Sequence, residues 1–183
     1  NKHMPIHAVT VFCGSKPGAD ARYEADAAEL GKLIAEAGLK LVYGGGNKGM
    51  MSAVANAALQ NGGKVTGVIP EILVQWEQQH NGLTELIVTG TIHQRKKLLY
   101  ELCDAAIVLP GGYGTLDELF EMLTWNQLNI HNKKIFILNT AGYYYHLEAH
   151  IGKMEAEGFL YTSADHRIVF SDTPQLLLRN LKI

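Results

Sequence analysis

The sequence predicts an α/β protein with a Rossmann-like, doubly wound parallel sheet of about seven strands flanked by helices. Seven short apolar segments recur along the 183 residues, and stretches with helical periodicity separate them. Several of the apolar segments lack polar alternation, which is typical of strands that helices cover on both faces. Two glycine-rich stretches follow predicted strands, at the end of the sheet where such folds bind ligands.

Strands and helices alternate from one end of the chain to the other. The predicted strands are Ile6–Cys13, Leu39–Tyr43, Val65–Ile69, Glu85–Thr89, Ala105–Leu109, Lys134–Leu138 and Arg167–Phe170. The clearest helical stripes comprise Ala27, Leu30, Ile34 and Ala37 in the segment 21–37, and Leu116, Leu119, Phe120 and Leu123 after Gly114. No linker divides the chain, so residues 4–183 are predicted to form one domain. Residues 1–3 are interpreted as a cloning remnant before a native Met4.

The composition and net charge bear on which classes of molecule this protein is expected to bind. Apolar residues make up 47% and charged residues 19%, as in ordinary globular proteins, and the net charge is −2. This charge gives no electrostatic reason to expect nucleic acid or an anionic membrane surface as a partner. There is no apolar run of about 18 residues and no signal-peptide layout at the start. Cys13 and Cys103 are predicted to be buried free thiols, which favours a cytoplasmic location.

The first glycine-rich stretch is GGGNKG, which comprises Gly44, Gly45, Gly46 and Gly49 and follows the second predicted strand. It matches the G-x-G-x-x-G pattern of dinucleotide-binding loops, and Glu71 follows the next strand, about 20 residues on, at the spacing of a ribose-binding acid. A protein that binds NAD(P) at this loop is therefore one hypothesis. The alternative is a tight turn whose glycines only permit close packing of a helix on the sheet.

The second stretch is PGGYGTLDE, from Pro110 to Glu118. Glycines at the start of a helix let the backbone approach a phosphate, which the free amides and the helix dipole then attract. Thr115 and Glu118 also fit a capping box, in which each side chain satisfies a backbone amide of the first turn. The segment alone leaves both interpretations open.

A basic cluster, Arg95-Lys96-Lys97, follows a second capping pattern, Thr91-x-x-Gln94, so a helix is predicted to begin near Ile92. Cations at this end of a helix oppose the dipole by about a few tenths of a kcal/mol each. They form either a solvated basic patch or the counter-charge of a bound anion and a nearby carboxylate. Arg95 precedes Leu99 and Leu102 by four and seven residues, which directs it inward.

Several motifs together resemble one family over nearly the whole chain. They are VFCGS at 11–15, LVYGGGNKGMM at 41–51, GVIP at 67–70, HQRK at 93–96, PGGYGTLDE at 110–118 and GYYYHL at 142–147. Their order and spacing resemble the LOG family, the cytokinin riboside 5′-monophosphate phosphoribohydrolases. Many members of the family carry the label lysine decarboxylase, but no pyridoxal-phosphate pattern is visible in this sequence.

The resemblance implies hydrolysis of the N-glycosidic bond of a nucleoside 5′-monophosphate, AMP or an N6-substituted AMP, to a free base and ribose 5-phosphate. It implies catalysis by Arg95 and Glu118. The substrate-binding residues that it implies are Glu77, Lys96, Gly112, Tyr113, Gly114, Thr115, Leu116, Asp117 and Thr124. It also implies a homodimer with neither a metal nor another cofactor. Ile92 stands where many relatives have Met, and this change bears on the preferred base.

The implied chemistry gives each charged residue a role. The first turn after Gly112 would bind the 5′-phosphate, and Glu118 would stabilise positive charge on the sugar or orient water. Arg95 would hold Glu118 ionised and lower its pKa. Glu77 would bind the ribose hydroxyls, although its sequence context alone predicts a surface loop.

Two further patterns are weaker. His146 and His150 stand four residues apart in a predicted helix, but no third ligand accompanies them, which favours surface histidines over a metal site. Tyr143 and its two neighbouring tyrosines suit packing better than stacking on a base. Besides the hydrolase and the NAD(P)-binding protein, a module that senses a nucleotide without turnover stays open.

Overall fold

The computed structural model describes residues 5–164 and 167–181 and contains a seven-stranded, all-parallel sheet of order β4-β3-β2-β1-β5-β6-β7. Residues 1–4, with the proposed cloning remnant and Met4, lie outside the described residues. The strands are β1 Ala8–Phe12, β2 Lys40–Tyr43, β3 Val65–Pro70, β4 Glu85–Thr89, β5 Ala105–Val108, β6 Ile135–Leu138 and β7 Ile168–Ser171. Each predicted strand is confirmed to within two residues at either end.

Helices cover both faces of the sheet. They are α1 Ala21–Glu36, α2 Gly49–Gln60, α3 Val74–Glu77, α4 Ile92–Glu101, α5 Tyr113–Gln127, α6 Tyr145–Ala156 and α7 Pro174–Leu181. Helices α1, α2 and α7 pack on one face, and α4, α5 and α6 pack on the other. Strands β2, β3, β5 and β6 are almost wholly buried, which explains their continuous apolar sequences.

The direction in which the chain adds strands reverses beside β1. From β1 the chain moves outward through β2, β3 and β4, and then returns to place β5 on the other side of β1. The loops that leave β1 and β5 therefore diverge toward opposite faces and open a crevice at the carboxyl ends of these strands. Open α/β sheets bind their ligands at such a switch point.

Helix α5 begins earlier than the sequence predicts. Its first residue is Tyr113 and its N-cap is Gly112, so Thr115 lies inside the first turn and the predicted capping box is wrong. The predicted stripe is also partly wrong, because Phe120 is exposed while Thr115, Leu119, Met122 and Asn126 are buried. No side chain caps this earlier start.

The two thiols are buried and free, as predicted. In residues 5–164 and 167–181, no helix has both the length and the apolar character that a membrane span requires.

Candidate active site

A cavity of about 670 Å³ lies at the switch point, beyond the carboxyl ends of β1 and β5. Residues from both diverging loops line it, together with the starts of α2, α4 and α5 and the short helix α3. The charged residues of the lining are Lys16, Glu77, Arg95, Lys96, Asp117 and Glu118. The apolar and aromatic part of the wall includes Tyr23, Met50, Met51, Leu73, Ile92 and Tyr143.

The two diverging loops contact each other through their backbones. The Gly14 amide donates to the Pro110 carbonyl at 3.2 Å. A Cβ at Gly14 would lie 3.3 Å from the Cα of Gly111, and a Cβ at Gly111 would lie 2.1 Å from the Thr115 hydroxyl oxygen. The absence of side chains at these two glycines therefore brings the β1 loop directly against the start of α5.

The start of α5 offers free hydrogen-bond donors to the cavity. Gly112, the N-cap, carries no side chain that could accept from the first amides of the helix. Thr115 is only 4% exposed and lines the cavity, and its hydroxyl has no hydrogen-bond partner among the described residues. Free amides and an unpaired hydroxyl at the positive end of a helix are groups that can bind an anion.

Arg95 is buried below the cavity, and four of its five N–H groups are engaged by the protein. Its Nε donates to the Val68 carbonyl at 2.9 Å, and its Nη2 donates to the Gly44 carbonyl at 2.6 Å. The Glu77 carboxylate accepts from Nη2 at 2.7 Å and from Nη1 at 3.4 Å. The inward orientation predicted for Arg95 is confirmed, and the Thr91 cap that starts its helix is confirmed by a 3.1 Å bond from the Gln94 amide.

Glu77 is held in the site by the first glycine loop. The Asn47 amide donates to the carbonyls of Glu77 and Gln78, at 3.1 and 2.6 Å. The Lys48 ammonium donates to the Trp76 carbonyl at 3.1 Å, and the His80 amide donates to the Gly45 carbonyl at 3.0 Å. Glu77 therefore lies in the cavity wall, and the interpretation of its segment as an ordinary surface loop is wrong.

The first glycine loop is filled by the protein itself. A Cβ at Gly44 would lie 2.3 Å from Arg95 Nη2, and a Cβ at Gly46 would lie 2.9 Å from the Met51 sulfur. A Cβ at Gly49 would lie 2.4 Å from the Lys16 carbonyl carbon. These glycines make room for neighbouring chain segments, so the close-packing interpretation accounts for them.

Glu118 carries the largest electrostatic perturbation among the carboxylates of the site. Burial raises its pKa to about 8, and the negative charges of Glu77 and Asp117 act in the same direction. The Arg95 guanidinium lowers the pKa but does not offset these effects, because its charge is paired with Glu77. Arg95 thus lowers the pKa of Glu118 as expected, but the net change is upward. The expectation that Arg95 pairs with Glu118 and holds it ionised is wrong, because the ion pair of Arg95 is with Glu77.

Lys96 ties α4 to α5. Its ammonium binds Asp117 at 3.0 Å and also forms an ion pair with Glu121. Burial lowers the pKa of Lys96, but the two carboxylates outweigh that effect and the net shift is upward. Lys97 is exposed and pairs with Glu101 on its own helix. The solvated-patch interpretation therefore describes Lys97 only.

The cavity brings together most of the predicted site residues. Those that line it are Glu77, Arg95, Lys96, Gly112, Gly114, Thr115, Asp117 and Glu118. Tyr113 and Thr124 are exposed outside the lining, and Leu116 packs against the core under α5. The Thr124 hydroxyl donates to the Phe120 carbonyl at 2.7 Å, on the outer face of that helix.

Sequence reasoning missed one wall of the cavity. The β1 loop contributes Ser15 and Lys16, and Tyr23 and Tyr143 pack edge to face at 5.7 Å beside it. The Tyr143 hydroxyl donates to the Gly111 carbonyl at 2.5 Å, so this tyrosine supports the α5 loop as well as lining the cavity. The VFCGS motif at the end of β1 was the available signal, since a strand at a switch point presents its following loop to the ligand.

The residues that the structure describes do not form an evident set of metal ligands. His146 and His150 are exposed on α6, as expected of surface histidines. Over residues 5–164 and 167–181, no three His, Cys, Asp or Glu side chains cluster closely enough to hold a metal ion.

Comparison with known proteins identifies sequence relatives. Residues 51–181 match a protein-family model described as "Possible lysine decarboxylase". The chain is 48% identical over 163 residues to the cytokinin riboside 5′-monophosphate phosphoribohydrolase of Rhodococcoides fascians, covering 88% of this chain and 82% of that protein. It is 41% identical over 174 residues to the cytokinin riboside 5′-monophosphate phosphoribohydrolase LOG1 of Arabidopsis thaliana, covering 95% of this chain and 82% of that one.

Solved structures share the fold at lower sequence identity. The Moco carrier protein of Chlamydomonas reinhardtii superposes with a TM-score of 0.72 at 21% identity, covering 96% of both chains. The molybdenum cofactor binding protein of Rippkaea orientalis gives a TM-score of 0.71 at 22% identity and covers 98% of both chains. At this level of identity the likeness concerns the fold alone.

Proposed function

Because the chain belongs to the family described as possible lysine decarboxylase, whose relatives here are the LOG-type phosphoribohydrolases, we propose that it is a nucleoside 5′-monophosphate phosphoribohydrolase. It hydrolyses the N-glycosidic bond of AMP or an N6-substituted AMP, such as isopentenyladenosine monophosphate, and releases the free base and ribose 5-phosphate. The observation that carries the proposal is that a half-buried carboxyl, Glu118, lies in the same cavity as an uncapped helix start about one turn away.

The 5′-phosphate binds at the start of α5. The amides that follow Gly112 and the hydroxyl of Thr115 donate to the phosphate oxygens, and the helix dipole favours the negative charge. Support comes from the unpaired Thr115 hydroxyl, which is buried and lines the cavity. The phosphate then fixes the ribose within reach of Glu118, which lies one turn further along the helix.

Glu118 first acts as a proton donor. Because its pKa is raised to about 8, Glu118 is mostly protonated at pH 7, and a bound phosphate dianion favours the protonated form further. The bond between ribose C1′ and the base nitrogen breaks, its electron pair stays with the base, and Glu118 donates its proton to the base. Water then attacks C1′ and gives a proton to the Glu118 carboxylate, which restores the acid.

Glu77 and Arg95 act on the sugar. Positive charge develops on the ribose as the bond breaks, and an ionised carboxylate in a site sheltered from water stabilises it. The contact of both Glu77 carboxylate oxygens with Arg95 fixes the orientation of this carboxylate. One N–H of Arg95 remains for the substrate or the attacking water.

Incubation of the purified protein with AMP and with N6-isopentenyl-AMP tests this function. Chromatography of the free base and an enzymatic assay of ribose 5-phosphate should give equal amounts of the two products. Both products should be lost in Glu118→Gln. Tight AMP binding without release of base would instead identify a nucleotide-sensing module.

We also propose a cytoplasmic homodimer. Several large apolar side chains are exposed in or near the segments that line the cavity. Ile92 is part of the lining, Ile72, Trp76 and Tyr113 are next to lining residues in the sequence, and Phe120 follows Glu118 by two residues. Exposed apolar patches of this kind mark protein interfaces. On the outer face of α5, Thr124 lies beside Phe120, so it would meet a substrate only across such an interface. The buried free thiols suit a reducing compartment.

Light scattering after size-exclusion chromatography tests the assembly. The expected mass is twice the 20.1 kDa of one chain, and Phe120→Asp should shift the protein toward the mass of one chain. A wild-type mass of one chain would contradict the dimer without bearing on the proposed chemistry.

A further inference from the structure

One of the cations that line the cavity has no ion pair with a carboxylate of the described residues. Three cations line it, Lys16, Arg95 and Lys96. Arg95 is paired with Glu77, and Lys96 is paired with Asp117 and Glu121. Lys16 has no ion pair with any carboxylate in the described part of the chain. A phosphate monoester that enters the cavity brings about two negative charges at neutral pH, and Lys16 is the lining cation that no protein carboxylate already neutralises.

The backbone of Lys16 is fixed beside the proposed phosphate site. Gly49, at the start of α2, has a positive φ of 49° and packs against the Lys16 backbone. There is no room for a side chain at Gly49, because a Cβ there would lie 2.4 Å from the Lys16 carbonyl carbon. Two residues earlier, the Gly14 amide binds the Pro110 carbonyl, and Gly14 packs against Gly111. The loop that carries Lys16 is thus clamped between two helix starts, and its flexible side chain extends from a fixed point at the cavity rim.

We propose that Lys16 supplies the counter-charge for the 5′-phosphate and so selects nucleoside monophosphates over nucleosides. This inference rests on the proposed function. Amides and a hydroxyl at the α5 start orient the phosphate oxygens but carry no full charge, whereas an ammonium does. The preference for a phosphorylated substrate then depends on Lys16, while cleavage of the glycosidic bond depends on Glu118.

The test compares wild type with Lys16→Met, Lys16→Arg and the control Lys64→Met. Lys64 is exposed before β3, at the opposite end of the strands, so its loss changes the net charge equally without touching the cavity. The measured quantities are kcat/KM for AMP and for adenosine. Lys16→Met should lower kcat/KM for AMP by about tenfold or more and leave adenosine unchanged. Lys16→Arg should retain most of the activity, and Lys64→Met should match wild type.

A second readout separates this inference from the proposed activity. Calorimetric titration of AMP measures binding without turnover, and the loss of affinity in Lys16→Met should shrink as salt rises. If wild type binds AMP but releases no base, the proposed function fails while a Lys16-dependent affinity still supports this inference. An unchanged ratio of AMP to adenosine activity and an unchanged AMP affinity in Lys16→Met would overturn it. Failure of wild type to bind AMP would overturn both.

Discussion

The two glycine-rich loops look alike in sequence but have opposite surroundings in the fold. In the first loop, added Cβ atoms at Gly44 and Gly49 would lie 2.3 and 2.4 Å from protein atoms. In the second, added Cβ atoms at Gly112 and Gly114 would meet no described atom within 4 Å. The first loop packs against the protein's own atoms, whereas the second opens onto the cavity at Gly112 and Gly114 and packs against Thr115 only at Gly111.

This difference shows what a glycine pattern does and does not indicate. Each pattern predicts a place where a Cβ would be in the way, but it does not indicate what occupies the space. At Gly44 the occupant is the guanidinium of Arg95, which the loop orients together with Glu77. The first loop therefore builds the charged floor of the cavity, and the second is the one that we propose receives the substrate.

Loss of the Glu118 proton is expected to have the largest effect. Glu118→Gln retains the size of the side chain but can neither donate a proton nor accept one, so kcat for base release should fall by about 10³-fold. Stopped assays with AMP, resolved by chromatography, would measure it. Glu101→Gln, at an exposed ion pair on α4, is the matched control and should be neutral. A kcat within tenfold of wild type in Glu118→Gln would exclude proton transfer by this residue.

Filling the first loop should have the next largest effect. The new methyl of Gly44→Ala would displace the Arg95 guanidinium and loosen its contact with Glu77. We expect kcat to fall by about 100-fold with only a modest loss of thermal stability, because a side-chain end can move aside. Gly152→Ala, on α6 where nothing lies within 4 Å, serves as the control. Wild-type kcat in Gly44→Ala would show that Arg95 need not be held in this position.

Removing one donor from the second loop should have a smaller effect that is confined to phosphorylated substrates. Thr115→Val deletes the unpaired hydroxyl, so KM for AMP should rise about tenfold while activity on adenosine stays the same. Thr115→Ser should restore the wild-type KM. An equal loss of activity on AMP and on adenosine would mean that the substitution disturbs helix α5 rather than a contact with the phosphate.

The last expected effect concerns stability rather than activity, and it is a pH dependence that arises from Glu118. Its pKa lies at about 8 in the folded protein and near 4.5 when unperturbed, so folding takes up a proton between these values. The free energy of unfolding should therefore fall as pH rises through this window, by on the order of a few kcal/mol at most. Comparing melting temperatures of wild type and Glu118→Gln at pH 5 and pH 8.5 measures it. A constant difference between them would mean that Glu118 is not perturbed.

Much of the fold could be predicted because it depends on local patterns. Continuous apolar runs predict the position of strands such as β5, and the capping pattern at Thr91 predicts the start of α4. The pairing of charges could not be predicted in the same way. Whether Arg95 contacts Glu77 or Glu118 depends on how the segment 76–80 attaches to the first glycine loop. The hydrogen bonds that attach it, from two backbone amides and the Lys48 ammonium, join residues about 30 positions apart. The place of Lys16 in the cavity wall was missed because it follows from the strand order rather than from the sequence around Lys16.

The central claim is that the second glycine-rich loop, and not the first, binds the substrate. Calorimetric titration of Glu118→Gln, which should bind substrate without cleaving it, tests this claim most directly. We predict that AMP binds with one site per chain, that NAD⁺ binds more weakly, and that Gly112→Val added to this variant abolishes AMP binding. Tighter binding of NAD⁺ than of AMP, or AMP affinity that survives Gly112→Val, would contradict the account.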